Sequence, residues 1–273
     1  MIYTITVAFC PAAQLARCLI KNKPDPSTLY VVLAHYPINT KKNNQDIRMI
    51  VESYGGQVLD PGCDMGSAQS QWWAINKLRL TDGDYWINLD PDAACDDSYW
   101  VEQAEYVLNK DPNCVVISCW SPMVDYFTKL RDQELLVKEL PFPEPPLKCF
   151  EPIRYAVPYQ PTPFNLGLWN YSFFKELGGI PQMFPQWGEV EGPVFHYAKQ
   201  KGKYHAYLMD FVEDESGKLM SDHHKLEWQD RHARTQGPEQ FLGTFKEYLA
   251  YKYPQVLAFD TYEENADRIR TGQ

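Results

Sequence analysis

Nowhere does the chain carry a run of eighteen uncharged apolar residues, so no segment is built to span a bilayer as a helix. Its opening, MIYTITVAFC, lacks a positively charged segment before the short apolar run, which argues against a secretory leader. The expected location is therefore cytoplasmic, without membrane insertion. Basic charge is scarce as well. With 26 Lys and Arg against 36 Asp and Glu, the net charge of -10 suits no non-specific nucleic-acid binder, because phosphate binding draws on Lys and Arg. The seven cysteines (Cys10, Cys18, Cys63, Cys95, Cys114, Cys119 and Cys149) are odd in number and contain no C-x-x-C pair. Neither a disulfide framework nor a zinc knuckle is expected, and they read as reduced, mostly structural thiols.

What is present is a chain able to bury a full core, with 273 residues, 44% hydrophobic and 14% aromatic. Short β-rich runs at Tyr3 to Phe9, Leu29 to His35, Gln57 to Leu59, Tyr85 to Leu89 and Val115 to Cys119 alternate with helical stretches. The helices are predicted at Pro11 to Lys21, Asn43 to Tyr54, Ser67 to Leu80 and Ser98 to Asn109, the last with Asp96 and Asp97 as candidate caps. That rhythm predicts an α/β fold, a mostly parallel sheet flanked by helices, with ligands bound beyond the carboxyl ends of the strands. Residues 141–163 are dense in proline, which excludes regular helix or a central strand and predicts a long loop, either a linker or a substrate cover. Beyond it come an apolar run at Asn165 to Asn170, a short helix at Ser172 to Leu177, a helix ending near Gly202, a strand at Tyr204 to Phe211 and a final helix at Pro238 to Tyr251.

The chemistry centres on GDYWINLDPD (83–92), where a strand runs into Asp90 and Asp92. Two carboxylates in D-x-D spacing can bind one divalent cation, Mn²⁺ or Mg²⁺, which in turn can hold a diphosphate. A lone D-x-D is more often a solvated turn or a cap. Its context here is an apolar strand and a proline that stiffens the turn without needing a donor. Four features resemble the GT-A glycosyltransferases, particularly their family-2 group, with some likeness to polypeptide N-acetylgalactosaminyltransferases. They are the opening strand YTITVAF; Asp64-Met65-Gly66 through a helix to GDYWINLDPD; NLGLWNYSFFKELGG; and WGEVEGPVFHYAKQKG. They span residues 3 to 205. Two departures stand out: Asp64 replaces the usual asparagine, and His35-Tyr36-Pro37-Ile38-Asn39 replaces the acids that in that family follow the second strand and help read a uracil base.

The resemblance implies a GT-A (Rossmann-like) catalytic domain over 1–210, with a nucleotide-sugar half (1–120), the proline-rich loop (141–163) and an acceptor half (164–210). A helical C-terminal extension (211–273) follows. It implies a hexosyl- or pentosyltransferase that moves a sugar from a nucleotide-sugar donor to an acceptor hydroxyl. Phe9, Asp64, Gly66 and Asp90 would line the donor site, and Asp90 and Asp92 would hold the metal, joined by a late histidine, either His223 or His224. Glu191 would be the general base, with Glu189 the close runner-up; the plainer reading of both is acids placed at a helix N-terminus. Trp72, Trp73 and Trp169 read as core, whereas Trp187 could stack on a sugar face.

Two rivals remain. A sugar-nucleotide nucleotidyltransferase would show a glycine-rich, basic loop after the first strand, where this chain has Cys10-Pro11-Ala12-Ala13-Gln14. A non-catalytic carbohydrate- or partner-binding domain would keep the fold without turnover. As acceptor, a saccharide or protein ranks above DNA, which would need a basic face built from Lys129, Arg131, Lys138, Lys148 and Arg154.

Overall fold

The first strand sets the frame. β1 (Ile2–Ala8), rich in β-branched residues, is buried along most of its length and pairs in parallel with β2 (Leu29–Leu33) on one side and β4 (Tyr85–Leu89) on the other. β3 (Gln57–Leu59) adds in parallel to β2. The structure, a computed structural model, describes residues 1–35, 40–63, 65–95, 97–121, 135–141, 152–159, 161–162, 166–181 and 190–213.

The helices expected between these strands are present: α1 (Ala12–Asn22), α2 (Lys41–Tyr54), α3 (Ser67–Leu78) and α4 (Tyr99–Lys110). Thr40 caps α2 by accepting from the Asn43 amide at 3.2 Å, and Gly55, at φ 93°, closes it. Ahead of α4, Asp97 accepts from the Tyr99 amide at 2.9 Å; Asp96 lies outside the described residues.

The second half departs from simple βα alternation. β5 (Cys114–Trp120) is separated from β4 by β8 (Leu166–Asn170), which runs antiparallel to both, while β9 (Tyr204–Val212) runs parallel to β5. The described sheet has nine strands in the order β3-β2-β1-β4-β8-β5-β9-β7-β6. Its inner member β7 (Ile153–Val157) corrects the reading of the proline-rich stretch. β7 lies between β9 and the edge strand β6 (Leu136–Leu140), antiparallel to each. Pro152 and Pro158 stand just outside its five residues, so every ladder amide is kept. The expected helix Pro238 to Tyr251 lies outside the described residues.

Two helices complete the described set, α5 (Tyr171–Leu177) and α6 (Glu191–Gln200). With α3 they cover one sheet face, packing around Ile5, Val7, Trp86, Trp169 and Phe174. Trp86, Trp169 and Phe174 meet with ring centroids 4.8 to 5.3 Å apart, each burial contributing about 1.5–3 kcal/mol. Trp169 is thus core, as expected, and Trp72 and Trp73 pack against the same cluster. On the other face α1 and α2 cover Leu29, Val31 and Leu33, and α4 covers Ile87, Leu89 and Ile117. Gly167 lets β8 enter: a Cβ there would stand 2.4 Å from the Ser118 Oγ.

Candidate active site at the carboxyl edge of the sheet

Because β1 and β4 are parallel neighbours, Phe9 and Asp90 emerge at the same edge of the sheet. Asp90-Pro91-Asp92-Ala93 forms a tight turn in which the Ala93 amide donates to the Asp90 carbonyl at 2.9 Å. Proline at its second position pre-sets the backbone angle such a turn needs. Both carboxylates therefore project from one stiff loop, each half-buried.

The turn is fastened from α1. The Cys18 thiol donates to the Asp90 and Ala93 carbonyls at 3.7 and 3.6 Å. The Asn22 amide donates to the Ala93 carbonyl at 3.0 Å, and its side-chain oxygen accepts from the Cys95 amide at 2.9 Å. Burial pushes the Cys18 thiol up to about 12, so it stays protonated and able to donate. Cys18 and Asn22 lie four residues apart and so share a helix face, a spacing visible in the sequence, but nothing there names their target.

Charge gathers around this turn. Burial, and then the carboxylates of Asp92, Glu213 and Glu191, push the Asp90 pKa well above its ordinary value, opposed by a hydrogen bond from Asn88. Glu191, the expected base, begins α6, where the positive end of the helix favours a carboxylate. The plainer reading, an acid at a helix start, and the catalytic one thus describe the same position. Glu213 is new: it follows β9, is 3% exposed and donates its amide to the Trp120 carbonyl at 2.8 Å. Its sequence signal was an acid directly after an apolar strand, the pattern already used for Asp90. Beneath these acids the Tyr207 hydroxyl, its pKa raised by burial and then by Glu191 and Glu213, lies 2.7 Å from Thr162 Oγ1, which lies 3.0 Å from His205 Nε2.

No family model matches the sequence, and no curated protein matches it either. Solved structures do. A mannosyltransferase from Pyrobaculum calidifontis, solved with GDP-Man and Mn²⁺, superposes with a TM-score of 0.55 at 15% identity, over 99% of this chain and 72% of that one. S. aureus TarS (residues 1–349, with UDP-GlcNAc) gives 0.52 at 11% identity, over 100% of this chain and 71% of TarS. GalNAc-T7, solved with UDP, GalNAc and Mn²⁺, gives 0.52 at 9% identity, and the chain spans 56% of its length. The fold is that of the GT-A glycosyltransferases.

Within the GT-A fold, Asp90, Asp92 and Glu191 are the expected site residues that the structure brings together. Gly66 takes φ 75° as the residue before α3, a conformation that favours glycine. Phe9, 9% exposed, packs in the core cluster with Val7, Ala34 and Ala68, so it floors the edge from inside the core. Asp64, Glu189, Trp187, His223 and His224 lie outside the described residues. Past β2, where acids were missing from the sequence, Asp60 arrives from the end of β3. Its carboxylate meets His35 Nε2 at 2.5 Å, the Gly62 amide at 2.8 Å and the Arg48 guanidinium. Burial raises its pKa, but these partners outweigh it and hold it below the ordinary value.

A divalent cation fits the chemistry of the donor set: hard carboxylate oxygens crowded enough to oppose one another's ionisation. Among the described residues no group of three or more His, Cys, Asp or Glu side chains is arranged to hold a metal ion. Donor phosphates or water are the ligands that would complement Asp90 and Asp92 among the described residues. Arg17 and Lys21 line a small pocket together with Pro91 and Asp92. Of the bases considered for a DNA-binding face, Lys138 is engaged by Asp111 at 3.1 Å and Arg154 by Asp210 at 2.7 Å; Lys129, Arg131 and Lys148 lie outside the described residues. No helix among the described residues is long and apolar enough to cross a membrane.

Proposed function

We propose that the chain is a metal-dependent glycosyltransferase that moves a sugar from a nucleotide-sugar donor to an acceptor hydroxyl. The observation that carries this reading is the convergence of Asp90, Asp92, Glu191 and Glu213 at the carboxyl edge of β1 and β4 in a GT-A fold. The similar structures solved with GDP-Man, UDP or UDP-GlcNAc, two of them with Mn²⁺, support a nucleotide-sugar donor and a divalent metal here.

Asp90 and Asp92 are the residues that would hold Mn²⁺ or Mg²⁺. Such an ion, when bound, neutralises the diphosphate as it leaves the anomeric carbon. Pro91, Cys18 and Asn22 keep the two carboxylates at a fixed spacing, so little reorganisation is needed when donor arrives. Glu191, at the start of α6 and within electrostatic reach of Asp90 and Tyr207, would be the base that takes the acceptor's proton. Saccharide or protein hydroxyls are the acceptors that suit a surface with net negative charge.

Titration calorimetry with a panel of sugar nucleotides tests the donor half. One of them should bind in the presence of Mn²⁺ and fail to bind in EDTA or to Asp92→Ala. Binding that ignores both metal and Asp92 would overturn this reading of the D-x-D turn.

A further inference from the structure

One layer of the core is polar where its surroundings are not. Asn88 sits on β4 between Ile5 of β1 and Gly167 of β8, 6% exposed. Above it, Gln71 of α3 is 5% exposed, and its Nε2 donates to Asn88 Oδ1 at 2.6 Å. The hydrophobic cluster on this face of the sheet includes Val7, Ala68, Ala74, Ile75 and Trp86. Two buried amides in such a place cost stability that an apolar pair of the same shape would not.

Asn88 and Asp90 are two residues apart and so fall on the same side of the strand line. The Asn88 side chain hydrogen-bonds the Asp90 carboxyl. An amide has one donor end and one acceptor end. With its oxygen occupied by Gln71, the NH₂ of Asn88 is the end turned toward Asp90, and it cannot flip without breaking the bond to α3.

We propose that Gln71 and Asn88 are positioning residues for Asp90: α3 fixes the Asn88 amide, and that amide fixes one carboxylate of the D-x-D turn in the orientation that receives the cation. This rests on reading Asp90 and Asp92 as metal ligands. Outer partners that orient a ligating carboxylate commonly matter to metal affinity although they never touch the ion.

The test is Mn²⁺ alone titrated into the full chain, followed by the electron paramagnetic resonance signal of the free ion. Gln71→Leu should weaken Mn²⁺ binding by about tenfold and, because it orphans the buried Asn88 Oδ1, also lower the metal-free unfolding midpoint. Gln71→Met, which keeps the side-chain length, serves if the leucine variant folds poorly. Asn88→Leu should weaken binding at least as much, and adding Gln71→Leu to it should change nothing further; the double variant, which leaves neither amide orphaned, should regain stability without regaining Mn²⁺ affinity, whereas a merely structural role would restore both. If Gln71→Leu and Gln71→Met bind Mn²⁺ like wild type while Asp92→Ala loses it, the amide pair is core packing and the inference fails. If Asp92→Ala also binds like wild type, the metal reading fails and this inference with it.

Discussion

His205 offers a quantitative handle on the layer beneath the site. It is 1% exposed, enclosed edge-on by Phe195 and Tyr207 at centroid distances of 5.8 and 5.7 Å, with Thr162 at its Nε2. Burial lowers its pKa to about 3, from 6.5 in the unfolded chain. The folded state therefore holds a neutral ring where the unfolded state takes up a proton. The stability this gives is whole above pH 6.5 and is lost as pH falls from 6.5 toward 3. The slope is about 1.4 kcal/mol per pH unit, or about 2 kcal/mol between pH 6.5 and 5. Asp90 works in the opposite direction: its raised pKa means that its protonation favours the folded state as pH falls. That contribution is common to wild type and variant and cancels in their difference. Urea midpoints measured from pH 7.5 to 5 for wild type and His205→Gln should converge as pH falls, because the variant lacks the His205 slope. Parallel curves across that range would refute the burial argument.

Other perturbations read other parts of the molecule. Gly167→Ala should destabilise by about 1–3 kcal/mol, measured by urea unfolding, because the new methyl would meet Ser118 Oγ at 2.4 Å and the Ile117 carbonyl at 3.3 Å, between two strands. Asp111 accepts from Tyr155 Oη at 2.6 Å, Lys138 Nζ at 3.1 Å and Tyr204 Oη. Burial raises its pKa, but these donors outweigh it, so its stabilisation is present above pH 3.8 and lost as pH falls through its lowered folded value. Asp111→Asn should cost roughly 1–3 kcal/mol at pH 7, with the gap to wild type closing in acid denaturation scans below pH 3.8. Asn22→Ala removes two bonds to the turn after Asp92. In calorimetry it should weaken Mn²⁺-dependent donor binding about tenfold, with a loss of stability of roughly 1–3 kcal/mol from the orphaned backbone groups.

The parts of the fold legible in the sequence were those governed by local chemistry. Tyr85–Leu89 carries its own apolar run, its stop at Asp90 and a proline suited to the second position of a turn, and all three appear where the sequence put them. β7 is hidden by the proline density around it, because the strand needs only the five residues between Pro152 and Pro158. β6 is a short edge strand with no fully buried residue, so it gave little apolar signal. In the site, Asp92 and Glu191 could be named because a motif surrounds them. Glu213 offered only an acid after an apolar strand with no motif around it, and Asn22 and Gln71 offered nothing, since each acts through a partner distant in sequence that only the sheet order brings near.

Release of nucleoside diphosphate tests the central claim most directly. The purified protein is incubated with each sugar nucleotide and Mn²⁺, beside Asp92→Ala and Glu191→Gln. Slow Mn²⁺-dependent release from one donor, abolished by Asp92→Ala and strongly reduced by Glu191→Gln, is the predicted result. Tight, metal-dependent donor binding with no release under any condition would contradict it and make the chain a binding domain on a GT-A fold.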